Sequence, residues 1–132
     1  MSNTEEKMKE MYIADLLKKI GMPAHIKGYM YVKYAIDLVS DKRELISYVT
    51  KKLYPMIAKK FTTTSARCER AIRHSIEVAF DRGNQELLEK LFGYSISSKR
   101  GKPTNSEFIA VLSEYVQFNF SKSESETSSK ED

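Results

Sequence analysis

The 132-residue chain predicts an all-helical protein. Apolar residues recur at spacings of three and four, the alternation of a half-buried strand is scarce, and caps, glycines and prolines divide the chain into short segments. No self-similarity of the kind that marks a repeat array interrupts this pattern. The length suits one domain with a real core and is too short for two of typical size. Apolar residues make up 41% and charged residues 30%, an ordinary globular composition, and no apolar run is long enough to span a bilayer. The N-terminus, MSNTEEKMKEMY, lacks the apolar stretch and small-residue cleavage site of a secretory signal, so a soluble, cytoplasmic protein is expected. One cysteine, Cys68, cannot form an internal disulfide, and with only His25 and His74 beside it the usual ligands of a structural zinc site are too few. No metal and no other cofactor is expected. The net charge is +4, and residues 121–132, with two lysines against four acids, leave +6 on the first 120. A moderately basic domain with a small acidic tail points to an anionic partner, a charge balance also common in domains that bind nothing anionic.

The elements follow in order. Met8, Met11, Tyr12, Leu16, Leu17 and Ile20 share one face of a first helix, and Gly21 followed by Pro23 predicts its stop with a left-handed cap. A second helix is expected from near Pro23 through Ile26, Tyr29, Met30, Val32 and Ile36, with YMYVKY equally compatible with a short strand. Leu45, Ile46, Val49 and Leu53 mark a third amphipathic helix, and Pro55 opens a short fourth that contains Ile57 and Ala58. A turn at Thr62 to Thr64 precedes the most charged helix. Asn84 caps a short segment with Leu87, Leu88, Leu91 and Phe92, ended by Gly93. Residues 95–103, SISSKRGKP, read as a mobile loop. Thr104 and Glu107 form a T-x-x-E capping box before Phe108, Ile109, Leu112, Tyr115 and Val116. After Phe120 the chain is serine-rich and charged and is expected to be disordered. The division expected is a 1–10 extension, a domain over 11–120 and a polar tail over 121–132.

Residues 61–77, FTTTSARCERAIRHSIE, crowd three arginines, two glutamates and a histidine around Cys68. On a helix from about Thr64 to Asp81, at about 100° per residue, Cys68, Ala71, Ile72, Ser75, Ile76 and Ala79 fall within one arc. Arg67, Arg70, Arg73, His74 and Glu77 lie opposite, with Glu69 on the flank nearer the apolar edge. Cys68 is thereby a small buried apolar residue, too far around the helix from His74 to form a thiolate pair. Ile57, Ala58, Phe61, Cys68 and Ala71 match the apolar spacing of a helix-turn-helix, with Thr62 where a turn glycine is expected. The second helix of that unit enters the major groove, where Arg67 and Arg70 would lead. Arginine reads guanine O6 and N7 bidentately and a carboxylate such as Glu69 accepts from cytosine N4, which suits a site containing G and C. The bland alternative is a solvated helix laced by ion pairs such as Arg73 with Glu77 or Arg70 with Glu77.

GMPAHIKGYMY at 21–31, LYPMIAKKF at 53–61, RCERAIRHSIEVAF at 67–80, RGN at 82–84, LFGY at 91–94 and KPTNSEFIA at 102–110 closely resemble the DNA-binding effector domain of the stage-zero sporulation protein A family. The resemblance covers roughly residues 11–118 and keeps six motifs in order and spacing. It implies a compact bundle of about six helices with a helix-turn-helix, and a partner in double-stranded DNA bearing a short promoter box with a CGAA-containing core, often as tandem head-to-tail copies. Carried over, Arg67, Glu69 and Arg70 are the base-reading residues, and Ser65, Arg73 and His74 position the helix against the backbone. The chain departs from the family at Cys68 for valine, Phe80 for tryptophan and Ser65-Ala66 for Ala-Ser. In Gly83 to Ile96, which resembles the family's surface for RNA polymerase, Leu87, Glu89 and Lys90 stand where serines are usual.

The family's phosphoacceptor receiver domain has no counterpart in the ten or so residues before the resemblance, so either a piece cut from a longer regulator or a stand-alone effector domain is expected, with Met1 and the N-terminal sequence favouring the second. It would repress, activate, or occupy the boxes of a full-length regulator as an antagonist. The competing class is a protein-interaction module that pairs with such a regulator. A monomer in solution is expected, pairing head to tail on DNA through the last helix near Phe108 to Phe118. Tyr29, Tyr31 and Tyr34 among Lys27 and Lys33 read as core and rim before a base-stacking surface, His25 as a packing residue before a metal ligand, and KRGK at 99–102 as either a phosphate contact or a solvated run. No catalytic pair or phosphate-cradling glycine loop is present, so an enzyme is not expected.

Overall fold

Ile13, Leu16, Leu17 and Ile20 draw one stripe down the first helix, α1 (Ser2–Ile20), and all four are buried. The computed structural model describes residues 2–93 and 101–131, with side chains for 4–93 and 101–120. Met8 and Met11 extend the stripe in sequence but stand in solvent. Gly21 ends α1 with φ +98°, and its N–H donates to Leu17 and Lys18 while that of Met22 reaches back to Leu17. That is the left-handed cap the sequence predicts.

The next helix, α2, spans Lys27–Asp41 and starts four residues later than Pro23. Met22 precedes a proline, which biases it toward extended backbone, and its side chain is buried, so residues 22–26 turn instead of coiling. YMYVKY is helical and not a strand. Tyr29, Tyr31, Val32, Ala35, Ile36 and Val39 are buried, because α2 packs against α1 on one side and against two later helices on others.

The third amphipathic helix of the sequence becomes a 3₁₀ helix, Arg43–Tyr48, running into a π-helix, Val49–Leu53. Tyr48, Val49 and Thr50 are poor helix formers, and the change of winding keeps Leu45, Val49 and Leu53 buried at four-residue spacing. Helix α3 (Tyr54–Lys60) carries Pro55 in its first turn and buries Ile57 and Ala58. Helix α4 (Ser65–Arg82) buries Cys68, Ile72, Ser75, Ile76 and Ala79. Asn84 caps α5 (Gln85–Phe92) by accepting from the Leu87 N–H at 3.0 Å. In the predicted capping box the Glu107 N–H donates to Thr104 Oγ1 at 3.1 Å and the Thr104 N–H donates to Glu107 Oε1 at 2.7 Å. It starts α6 (Asn105–Glu131). The backbone of α6 continues as helix through the segment for which the sequence predicts a disordered tail, since extending a nucleated helix by serine, glutamate and lysine requires no buried surface. Among the described residues there are six α-helices and no strand.

Phe92 and Phe108 stack at 5.2 Å between centroids, and Phe80 meets both edge-on at 5.4 and 6.3 Å. Phe80 thus fills the junction of α4, α5 and α6. The loop ends beside Gly21 and Gly83 also touch, with the Asn84 N–H donating to the Ile20 carbonyl at 2.8 Å. A Cβ on Gly21 would stand 2.6 Å from Gly83 Cα, which excludes a side chain there. This tie joins the far end of α4 to α1 and leaves its N-terminal half facing outward beside α3.

Candidate nucleic-acid interface

The turn between α3 and α4 is built by three backbone devices. Phe61 donates to Ile57, Thr63 donates to Ala58 at 2.9 Å, and Thr62 sits between them with φ +53°. Thr62 occupies the position where the sequence reading expects glycine, and the backbone there is left-handed. Thr64 then caps α4, its Oγ1 accepting from the Arg67 N–H at 3.2 Å. Behind the turn Phe61 packs against Tyr31 at 5.2 Å and against Tyr34 at 5.7 Å. Tyr29 and Tyr31 are buried, so the tyrosines of α2 serve the core and its rim and not a stacking platform.

Around α4 the predicted division into a core half and a cationic half is observed. Cys68 is fully buried and burial pushes its thiol up, the behaviour of an inert packing residue. Arg67, Arg70, Arg73, His74 and Glu77 are exposed, while Ser65 and Glu69 are half-buried.

Four of the six sequence-predicted site residues fall into two groups. Arg67 and Arg70 line a shallow concavity with Lys27, Tyr31, Phe61, Thr62 and Thr63, a lining that holds three cations and no carboxylate. Glu69 lies on the other flank, about 200° around the axis from Arg67. There its Oε2 accepts from Arg73 at 2.6 Å, a pairing the sequence reading did not choose. Glu69 and Arg73 line a second concavity with Tyr54, Glu77, Lys102, Thr104 and Asn105. Ser65 stays on the first turn and His74 on the exposed arc one turn after Arg70. Of KRGK at 99–102, residues 99 and 100 lie outside the described residues, and Lys102 pairs with Asp81 at 2.6 Å.

Sequence reading missed two contributors. Lys27 opens α2 forty residues before Arg67 in the chain yet shares its concavity. Asn105, in the first turn of α6, donates from Nδ2 to the Glu69 carbonyl at 3.0 Å and reaches the Tyr54 hydroxyl at 2.9 Å. A carbonyl only accepts, so the amide orientation is fixed by Glu69. Burial pushes the Tyr54 hydroxyl above its usual range, leaving it a neutral partner. No local sequence pattern announces either contact, because both depend on how α2 and α6 dock onto α4.

Among the described residues no cluster of three or more His, Cys, Asp or Glu is arranged to hold a metal ion. No described helix is long and apolar enough to cross a membrane. A helix N-terminus flanked by two exposed arginines that form no ion pair among the described residues, behind a tight turn, is suited chemically to phosphate and to the acceptor-rich edges of bases. Residues 13–116, well over half the chain, match the family model described as sporulation initiation factor Spo0A, C terminal.

Proposed function

The chain belongs to the Spo0A C-terminal family, the helical DNA-binding effector domain of a sporulation regulator, and from that premise we propose that it reads a short CGAA-containing promoter box in double-stranded DNA through the N-terminal half of α4. The observation that carries this reading is the concavity formed by Arg67, Arg70 and Lys27 beside the Thr62 turn, cationic throughout its charged lining. In this reading Arg67 and Arg70 engage guanine edges while Lys27, Ser65 and His74 meet phosphate. Glu69 and Arg73 act as a pair, with Arg73 holding the carboxylate at the groove margin, where it can accept from a cytosine amino group. The protein works inside the cell as a transcription regulator and not as an enzyme.

The test is fluorescence anisotropy at about 0.15 M salt with a box-bearing duplex and a scrambled one. A specific reader favours the box by at least about a thousandfold, the low end for sequence-specific binders. Equal affinity would remove the reading.

A second reading, pairing with another copy or with a full-length regulator, is favoured by one surface. Val111, Tyr115 and Phe118 lie on the outer side of α6, and with Leu91 and Lys90 of α5 they line an open groove. Phe118 is 66% exposed. The chain is proposed to be a monomer that pairs head to tail on adjacent boxes through this side of α6, a heterologous contact that need not close into a two-fold dimer. Leu87, Glu89 and Lys90 on neighbouring α5 are the surface proposed for RNA polymerase.

A further inference from the structure

Two hydrogen bonds from one side chain tie both helices of the helix-turn-helix to α6. Asn105 Nδ2 donates to the Glu69 carbonyl of α4 and lies 2.9 Å from the Tyr54 hydroxyl at the start of α3. A carbonyl inside a helix already has its intrahelical partner, so a second donor arriving from another helix is a tertiary tie. Its attachment point is Glu69, in the middle of the segment from Arg67 to Arg70. Asn105 itself is held, because the capping box of Thr104 and Glu107 fixes the first turn of α6 around it.

We infer that Asn105 is a specificity-determining positioning residue: its amide sets the rotation and depth of α4, and through them the aim of Arg67 and Arg70, without touching DNA. The inference rests on the DNA-reading role proposed above. A side chain about 6 Å from a helix axis moves roughly 1 Å when the helix turns by 10°, and a bidentate contact to guanine tolerates little more than half that. Phosphate contacts are made by long, flexible cations and survive such a shift. Losing the amide therefore lowers discrimination more than it lowers affinity for DNA in general.

The full chain is compared with Asn105→Ala, Asn105→Asp and Tyr54→Phe on box-bearing and scrambled duplexes at 25 °C, alongside thermal unfolding and amide hydrogen exchange. Asn105→Ala is expected to cut the box-to-scrambled affinity ratio about tenfold, with scrambled affinity changed by less than about twofold. Asn105→Asp, which offers oxygens where the Glu69 carbonyl needs a donor, is expected to lose at least as much. Tyr54→Phe keeps the Glu69 tie and is expected to stay within about twofold of the parent ratio. Exchange of amides 68–73 is expected to quicken in Asn105→Ala relative to the rest of α4. Should that variant be unfolded, Asn105→Ser retains one donor and is expected to fall between parent and Asn105→Asp. An unchanged ratio in a folded Asn105→Ala with a lowered Tm would make the clamp purely structural and overturn the inference. A parent chain that fails to discriminate would instead remove the reading role itself, and the inference with it.

Discussion

Gly28 of α2 lies directly against Ala71 of α4: a Cβ built on Gly28 would stand 2.1 Å from the Ala71 carbonyl oxygen and 2.0 Å from Ser75 Oγ. The two helices meet there backbone to backbone, one residue from Lys27 and one from Arg70. That approach brings the α2 lysine into the arginine concavity. Gly28→Ala is expected to destabilise the domain by roughly 3 kcal/mol, the upper range of overpacking, because the obstructing atom is backbone and cannot swing away. The opposing gain from removing a helical glycine is only about 0.5 to 1 kcal/mol. Urea denaturation decides the sign, and a stabilised variant would show that the helices are further apart than described.

Thr62→Gly is expected to act in the opposite direction. A β-branched residue at φ +53° carries strain on the order of 1 to 3 kcal/mol, and Thr62 is exposed, so its removal forfeits little packing. Glycine adds back up to about 1 kcal/mol of unfolded-state entropy. The net expectation is about 1 kcal/mol of stabilisation, visible as a higher urea midpoint. A loss of stability would mean that the threonine side chain makes contacts that outweigh its backbone strain.

The local parts of this fold are legible in the sequence because their signals are local. The caps at Gly21 and Asn84 and the Thr104–Glu107 box all form as their residues dictate. The winding of residues 43–53 is not legible, since Leu45, Val49 and Leu53 satisfy an α-helical pattern whether or not the intervening turns tighten and widen. For the site, the helical wheel separates Cys68 from Arg67 and Arg70 correctly and places Glu69 at the apolar edge. It does not reveal that Arg73 pairs with Glu69, nor that Lys27 and Asn105 arrive from distant segments. Those facts belong to helix docking, for which one sequence supplies no periodic signal.

Cys68 offers a test of the buried half of α4. Cys68→Val is a swap of similar volume and is expected to change stability by less than about 1.5 kcal/mol, whereas Cys68→Asp should prevent folding by burying a carboxylate. Burial pushes the Cys68 thiol up, so the folded state holds its proton more tightly than the unfolded chain does. That contribution is fully present below the unfolded value, about 8.5, and is lost as pH rises through the higher folded one. Stability of the parent should therefore fall above about pH 9. Cys68→Val should fall less steeply, by up to roughly 1.4 kcal/mol per pH unit for the missing proton. Parallel curves from urea midpoints at pH 7, 9 and 10, or rapid thiol labelling at pH 7, would place the side chain nearer solvent.

The two kinds of cation in the concavity should separate in binding experiments. Arg67→Ala and Arg70→Ala are each expected to cost about 1 to 3 kcal/mol on the box and much less on scrambled DNA. Arg67→Lys should rescue only in part, because an ammonium lacks the planar fork that engages two acceptors. Lys27→Ala should weaken both duplexes alike and reduce the slope of log K against log salt by about 0.9. Full rescue by lysine at position 67 would recast that residue as a phosphate contact. A selective loss on the box in Lys27→Ala would make α2 a reader.

Pairing is tested at Phe118, whose ring is largely in solvent while its helical neighbour Val116 is fully buried. Inward residues of α6 hold the fold, so the outward side can be changed without unfolding it. Phe118→Asp is expected to stay folded and to unfold cooperatively in urea, because the buried Val116, Leu112 and Phe108 are untouched. On a duplex with one box its affinity should match the parent's. On two boxes spaced as direct repeats the parent should fill cooperatively and the variant independently, because a charge replaces the apolar contact between neighbours. Sedimentation of free parent protein should show a monomer at micromolar concentration. A dimer without DNA, or cooperativity that survives Phe118→Asp, would move the pairing surface away from the outer side of α6 and toward another face of the bundle.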